Sequence, residues 1–265
     1  MMKWNGSPVL IEFSGIVVRY YGLMFVLGFT LMGEYSKKRF IKYGKNPELT
    51  SSIINYMIIG MFVGARLGHC IFYDFDLYIK NPIEILKIWK GGLASHGGYL
   101  GVFISVWLYF KKNRELSFLW IMDIASGPCL FVGGLIRVGN FFNSEIVGLP
   151  TKVPWAIIFE RVDNVPRHPA QLYEAIGYFT ISFILFRMEQ KKFLIWPRGF
   201  IFAVAIILSC LFRFFIEFTK AEQSSLSGSL PINMGQILSL AFSLIGVFFL
   251  VKVIKKNAGV TSPSH

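Results

Sequence analysis

Seven stretches of this sequence, at about 16–35, 52–72, 93–110, 117–138, 170–187, 196–216 and 234–252, are apolar and long. Each matches the roughly 17–25 residues that a helix needs to cross a lipid bilayer. Lipid offers no partner for a peptide N–H or C=O, so an isolated apolar run of this length is predicted to be a helix. The charged fraction agrees: 16% of the 265 residues, against roughly 25% in soluble domains. The expected fold class is therefore an all-α integral membrane protein with seven transmembrane helices, forming a single polytopic membrane domain over 1–265. The fourth run is interrupted by Pro128 and Gly133-Gly134. Such breaks are tolerated where neighbouring helices satisfy the polar groups they release.

The few charges are lopsided, with a formal net charge of +12. On a chain of apolar runs this excess points to a membrane partner and not to nucleic acid. Its placement sets an orientation. Lys37, Lys38, Arg39, Lys42 and Lys45 follow the first run; Lys111, Lys112 and Arg114 follow the third. Arg187, Lys191, Lys192 and Arg198 follow the fifth, and Lys252, Lys255 and Lys256 close the last. The alternate connections, 73–92, 139–169 and 217–233, mix acids with bases. By the positive-inside rule the N-terminus is outside and the C-terminus cytoplasmic. The extracytoplasmic segment 139–169 is short, with room for small amphipathic or irregular elements. A cleaved signal peptide is not expected, because the basic cluster follows the first apolar run instead of preceding it. Cys70, Cys129 and Cys210 lie in apolar runs without metal-ligand spacing, so no metal, cofactor or disulfide framework is expected.

Ionisable groups inside a membrane are costly and mark function by default. With this threading they gather at one level, near the outer face. Tyr21 with Arg19 and Tyr20 opens the first run; Arg66 and His69 end the second; His96 begins the third. Arg137 ends the fourth, Gln171, Tyr173 and Glu174 begin the fifth, and Arg213 with Glu217 ends the sixth. Arg66, Arg137 and Arg213 bring permanently charged guanidinium groups, which grip phosphate oxygens with two parallel hydrogen bonds. A phosphate held at that depth is most simply a lipid headgroup. Alternatively the arginines pair with Glu145, Glu174 and Glu217, and Arg213 with Glu217 has the four-residue spacing for it. His96, in Ser95-His96-Gly97-Gly98-Tyr99-Leu100-Gly101, is either a hydrogen-bonded structural residue or a general base working near neutral pH.

That last string resembles the HGG motif of the prolipoprotein diacylglyceryl transferase family. Gly134-Leu135-Ile136-Arg137-Val138-Gly139-Asn140-Phe141-Phe142-Asn143-Ser144-Glu145-Ile146-Val147-Gly148 is similar to its signature, G-x-x-R-x-G-N-F-x-N-x-E-x-x-G. Arg167-His168-Pro169-Ala170-Gln171-Leu172-Tyr173-Glu174 resembles its R-x-P-x-Q-L-Y-E segment. Arg213-Phe214-Phe215-Ile216-Glu217-Phe218 and Met234-Gly235-Gln236-Ile237-Leu238-Ser239 resemble its closing blocks, and Tyr20-Tyr21-Gly22-Leu23-Met24 its Y-G-L-M.

The resemblance implies a reaction. The sn-1,2-diacylglyceryl group of phosphatidylglycerol moves to the thiol of the lipobox cysteine in a prolipoprotein signal peptide, forming a thioether and releasing glycerol 1-phosphate. It implies the bacterial cytoplasmic (inner) membrane, with the active site toward the extracytoplasmic face. Arg137 and Arg213 would clamp the lipid phosphate and leaving group, and His96 is the candidate base, with Glu145 or a phosphate oxygen as alternatives. Asn140, Glu145 and Gly148 would line the site, and Tyr21, Gln171 and Glu217 would orient substrate. Arg66 joins them as a substrate-binding candidate through its depth and charge. One departure stands out: many relatives carry tyrosine where this chain has Ser209, so that role is either dispensable or supplied by another aromatic such as Tyr178.

Two other classes compete. A transporter with an outer vestibule would need a polar path inward, which the apolar inner halves do not supply. A non-catalytic lipid- or signal-peptide-binding protein differs from the enzyme only through the His96, Arg137 and Arg213 set.

Overall fold

A computed structural model describes residues 2–13, 16–72, 75–87, 92, 95–192, 195–220 and 234–258. Among them are seven long helices: α1 (Tyr20–Lys42), α2 (Glu48–Phe72), α4 (Ser95–Lys112), α5 (Phe118–Phe142), α6 (Ala170–Lys192), α7 (Phe200–Ile216) and α8 (Met234–Ala258). A six-residue helix, α3 (Phe75–Lys80), lies after α2. Each long helix overlaps one of the seven apolar runs. Four segments, Glu48–Ile71, Phe118–Phe142, Phe200–Thr219 and Gly235–Asn257, are both long and apolar enough to cross a membrane.

The bounds differ from the apolar runs for physical reasons. Residues 16–19 are not helical: β3 (Ile16–Arg19) pairs antiparallel with β2 (Val9–Phe13) in a hairpin. Ile16, Val17 and Val18 are β-branched, stiff at χ1 and at home in a strand. At their other ends α1, α6 and α8 continue through their basic blocks to Lys42, Lys192 and Ala258. Lysine and arginine are good helix formers, so a helix need not stop where its apolar run does.

The chain divides into two compact units, residues 1–32 with 119–265, and residues 33–118. The second unit is built on antiparallel packing of α2 against α4. Gly60, Gly64 and Gly68 of α2 meet Gly97, Gly101 and Ser105 of α4; the glycines meet backbone to backbone, and Gly60 also meets the Ser105 side chain. A methyl built on Gly64 would lie 2.3 Å from the Gly97 carbonyl oxygen. Small residues every fourth position let helices approach this closely where water supplies no hydrophobic drive.

In the first unit α6 lies along α5, with Phe179 over Gly134 and Phe186 over Gly127. These helices run antiparallel, and their seven-residue spacings keep the rings in register with the glycines. α5 remains one helix through Pro128, and Ser182 of α6 donates to the Gly127 carbonyl at 2.8 Å. The start of α7 is capped from a distance. Asp123, 4% exposed, accepts the backbone N–H of Gly199 through Oδ2 at 2.6 Å and that of Phe202 through Oδ1 at 2.9 Å. A carboxylate at a helix N-terminus satisfies donors that the helix itself cannot. Replacing Asp123 by alanine is expected to destabilise the protein by about 1–3 kcal/mol, the usual cost of stranding buried donors. Thermal unfolding in detergent measures it, and an unchanged midpoint would remove Asp123 from the account.

Between α5 and α6 the chain forms β4 (Ile157–Phe159) and β5 (Pro166–Arg167), antiparallel to each other, while β1 (Met2–Trp4) pairs parallel with β4. Phe141, Ile157 and Phe159 form a small core beneath them, with Trp4, Val147 and Leu172 packed against it. The segment 139–169 therefore contributes two short strands, β4 and β5, to a small sheet that β1 completes.

Candidate active site

The geometry of the first unit follows from its helix directions. The ends that meet are the C-terminal ends of α5 and α7 and the N-terminal ends of α1 and α6. Tyr21 touches Gly139, where an added Cβ would be 3.0 Å from the Tyr21 ring. One residue further along, Asn140 begins a polar network. Its Oδ1 accepts from Arg137 Nη1 at 3.3 Å and its Nδ2 donates to Glu145 Oε2 at 3.0 Å. Asn143 donates to Glu145 Oε1 at 3.2 Å, so both carboxylate oxygens are held by amides. Gln171, fully buried, donates from Nε2 to the Glu145 carbonyl. Asn140, Glu145 and Gln171 thus form one connected framework beside Arg137.

A second chain of contacts leaves Arg137 in the other direction. Arg137 Nε lies 3.0 Å from Glu174 Oε2, and Glu174 Oε1 lies 2.8 Å from Lys220 Nζ. Lys220 Nζ is 3.2 Å from Glu217 Oε1, which is 3.5 Å from Arg213 Nε. Cation and anion alternate along five residues, from one arginine to the other. The contacts to Glu174 are charge pairs and not well-aligned hydrogen bonds. Glu174 is completely buried, a place that a carboxylate can occupy only when paired.

The loop that closes the α5 signature is bent to serve this site. Ser144 and Ile146 both take φ of 55°, a left-handed conformation that is a real outlier for a β-branched isoleucine. Strain of this kind persists only where the surroundings over-determine it, typically at functional sites. Gly148 follows. Its N–H donates to the His168 carbonyl at 3.0 Å, and it bridges antiparallel to Lys220. A Cβ there would stand 2.5 Å from His168 O and 2.6 Å from Thr219 O. The glycine is needed for three strands of backbone to meet, which makes its part in the site one of shape. Beside them Arg167 is locked to Asp163 and donates to the Gly148 carbonyl at 3.2 Å. The guanidinium holds the Asp163 carboxyl below its ordinary range. That stabilisation is present above the ordinary carboxylate pKa and is lost only as acid pH falls through the lowered value.

Arg66, His69 and His96 belong to the second unit. Arg66, 4% exposed, donates to a ring of carbonyls: Nε to Ile85 at 2.9 Å, Nη1 to Gly92 at 3.1 Å, and Nη2 to Glu84 and Lys87. Its guanidinium also lies 5.0 Å above the Tyr78 ring. All three of its nitrogens thus donate to the carbonyls of Glu84, Ile85, Lys87 and Gly92. Carbonyl oxygens carry the partial negative charge that a buried guanidinium requires, and four of them supply it. His96 is the second residue of α4, one step before the Gly97 contact with α2, but its side chain lies outside the described residues.

Sequence reading passed over Lys220. Its three-residue spacing from Glu217 was the available signal, yet in a loop of mixed charge it looks like a solvated base. The Ser209 hydroxyl turns back onto its own helix, 2.7 Å from the Ala205 carbonyl, and Tyr178 packs against Phe212 with ring centroids 5.9 Å apart.

Known proteins resemble this chain over nearly its whole length. The prolipoprotein diacylglyceryl transferase family profile matches residues 8–252. A phosphatidylglycerol–prolipoprotein diacylglyceryl transferase of Tolumonas auensis is 40% identical over 261 residues, 97% of this chain and 100% of the relative. One from Chloroherpeton thalassium is 43% identical, covering 96% of this chain and 94% of its own. A third, from Bacteroides fragilis, is 38% identical with 97% of each chain covered.

Proposed function

Because the chain belongs to the prolipoprotein diacylglyceryl transferase family, we propose that the charge chain from Arg137 to Arg213 is where it holds the phosphate of its donor lipid. The protein is a multi-pass membrane enzyme that transfers the diacylglyceryl group of phosphatidylglycerol to the cysteine of prolipoproteins. The observation that carries the site reading is the alternation Arg137–Glu174–Lys220–Glu217–Arg213. It fixes two guanidinium groups in one network at one end of the helices.

The chemistry needs two things. The acceptor thiol must lose its proton, since the thiolate is the nucleophile and the ordinary thiol pKa is about 8.5. Sulfur then attacks the glycerol C3 carbon, a C–S bond forms, and the C–O bond to phosphate breaks. Both electrons of that bond go to the departing glycerol 1-phosphate, whose negative charge rises. Fixed positive groups aimed at that charge lower the barrier without reorganising at the moment of reaction. Arg137 and Arg213 take this role. Asn140, Glu145 and Gln171 hold Arg137 and the signature loop in place, Tyr21 packs at Gly139, and Glu217 carries Arg213. Arg66 remains a substrate-binding candidate by charge and depth, held by the carbonyls of Glu84, Ile85, Lys87 and Gly92. His96 takes the thiol proton.

We place seven membrane-spanning helices with the N-terminus outside and the C-terminus in the cytoplasm, supported by the basic blocks at alternate helix ends. The site end of the helices then faces the extracytoplasmic side, where a lipobox cysteine follows its signal-peptide helix.

The test is reconstitution with phosphatidylglycerol and a lipobox peptide, read by mass spectrometry for a diacylglyceryl-cysteine adduct. Absence of the adduct with folded protein would leave a non-catalytic lipid- or signal-peptide-binding role. For His96, the glutamine variant is expected to lose most activity around neutral pH and to flatten the pH–rate profile. An unchanged pH–rate profile would make His96 structural and send the base assignment elsewhere.

A further inference from the structure

At the centre of the charge chain is a residue that the transfer reaction does not itself call for. Lys220 Nζ faces two carboxylates at once, Glu174 Oε1 at 2.8 Å and Glu217 Oε1 at 3.2 Å, and its side chain is 5% exposed. These two acids are the ones paired to the two arginines. In both pairs the closest guanidinium nitrogen is Nε, at the stem of the group: 3.0 Å for Arg137 and 3.5 Å for Arg213. Carboxylate and guanidinium commonly meet as a two-by-two fork, with a pair of parallel hydrogen bonds. That same fork is what grips a phosphate.

An ammonium on the far side of each acid changes the balance. It is a compact point charge with three donors, so a single nitrogen can serve two acids lying in different directions. With Glu174 Oε1 drawn to Lys220, only Oε2 comes closest to Arg137. Glu217 shares one oxygen between Lys220 and Arg213.

The backbone delivers the ammonium to a fixed place. Lys220 bridges antiparallel to Gly148, its own N–H donates to the Glu217 carbonyl at 3.3 Å, and Leu149 N–H donates to the Thr219 carbonyl at 2.9 Å. The lysine is therefore tied to the loop that carries Glu145, just past the end of α5 where Asn140 sits. Resting on the functional reading above, we propose that Lys220 is a positioning residue for diacylglyceryl transfer. It orients Glu174 and Glu217, and through them sets the two arginines for the lipid phosphate.

The experiment compares the full-length protein with Lys220→Met and Lys220→Arg in phosphatidylglycerol-containing detergent micelles, using a lipobox peptide. It measures kcat, the KM for each substrate and the unfolding midpoint. Methionine keeps the length and removes the charge. Its kcat is expected to fall by about 10²-fold, the scale of an ångström-level misplacement at a reacting centre, with the peptide KM unchanged. Arginine restores the charge and should recover at least about tenfold of that loss. A residue that merely stabilised the fold would lower the folded fraction and leave kcat per folded molecule alone. Wild-type-like kcat in Lys220→Met overturns the proposal, as does a loss in both variants that only follows unfolding. Should the methionine variant fail to fold, Lys220→Gln, which keeps a donor for both acids, makes the same comparison. A wild-type protein that forms no adduct rejects the functional reading itself, and is thereby distinguished from failure of the lysine's role.

Discussion

Arg137→Ala is expected to reduce diacylglyceryl transfer by at least about 10³-fold, while leaving protein that is less stable but still folded. The size follows from what the guanidinium does twice over. Removing a single fixed donor to a developing oxyanion typically costs about 10²–10³ in turnover. Here the same change also frees Asn140 Oδ1 from its bond to Arg137 Nη1 and leaves Glu174 with Lys220 as its remaining partner in the chain. Breaking one side of a buried charge pair destabilises by about 3–5 kcal/mol, so activity must be expressed per folded molecule. Arg137→Lys separates the two effects. It preserves the positive charge beside Glu174 but not the planar fork. The lysine variant should therefore unfold near the wild-type midpoint and still turn over about 10²-fold more slowly. Adduct formation by mass spectrometry, scaled to the folded fraction, decides it. Wild-type turnover in either variant would move the phosphate site away from Arg137.

The helices were readable because a membrane permits few backbone arrangements: seven apolar runs became seven helices, each close to where hydropathy put it. What hydropathy could not see was the difference between an apolar strand and an apolar helix. Ile16-Val17-Val18 looks like the first turn of a span and is a strand of the hairpin with Val9–Phe13, since short apolar runs are ambiguous until something pairs with them. Pro128 does leave α5 continuous, as the reading of the fourth run as one span expects.

The site shows the same division. Residue type and depth suffice to single out Arg137, Glu174, Arg213 and Glu217, because buried charges are rare and need partners. Spacing also pairs Arg213 with Glu217, as found, but nothing local pairs Arg137 with Glu174. Arg66 and Arg137 look alike in sequence, yet one faces four carbonyls and the other an acid and an amide. Lys220 is invisible for the opposite reason. It follows the last turn of α7 in what reads as a surface loop, and only the bridge to Gly148 brings it inside. Beyond one helical turn, partner choice is a tertiary property, and local sequence does not carry it.

The two glycines beside His96 should behave differently. Gly97→Ala is expected to disrupt the second unit, while Gly98→Ala is accommodated. A Cβ on Gly97 would lie 2.3 Å from the Gly64 carbonyl oxygen and 2.9 Å from the Gly68 Cα. Backbone on both sides cannot rotate out of the way, so α2 and α4 must separate along their length. On Gly98 the nearest atoms are the Ala65 Cβ and Met61 Cγ, both at 3.5 Å, which is ordinary contact. Gly101→Ala should be the most severe of the series, since its Cβ would fall on the Gly60 carbonyl oxygen. Overpacking against side chains costs about 1–3 kcal/mol; against a helix backbone at these distances the loss should exceed that range. Meanwhile alanine at Gly98 gains up to about 1 kcal/mol of helix propensity. Thermal unfolding and limited proteolysis of residues 33–118 in detergent would rank the variants, and equal stability for Gly97→Ala and Gly98→Ala would sink the argument. The consequence for catalysis is one of place. His96 precedes Gly97 on the same helix, so the place of its backbone depends on how closely α4 lies against α2. The glycines of this motif act by setting that distance, and Gly97 sets it more tightly than Gly98.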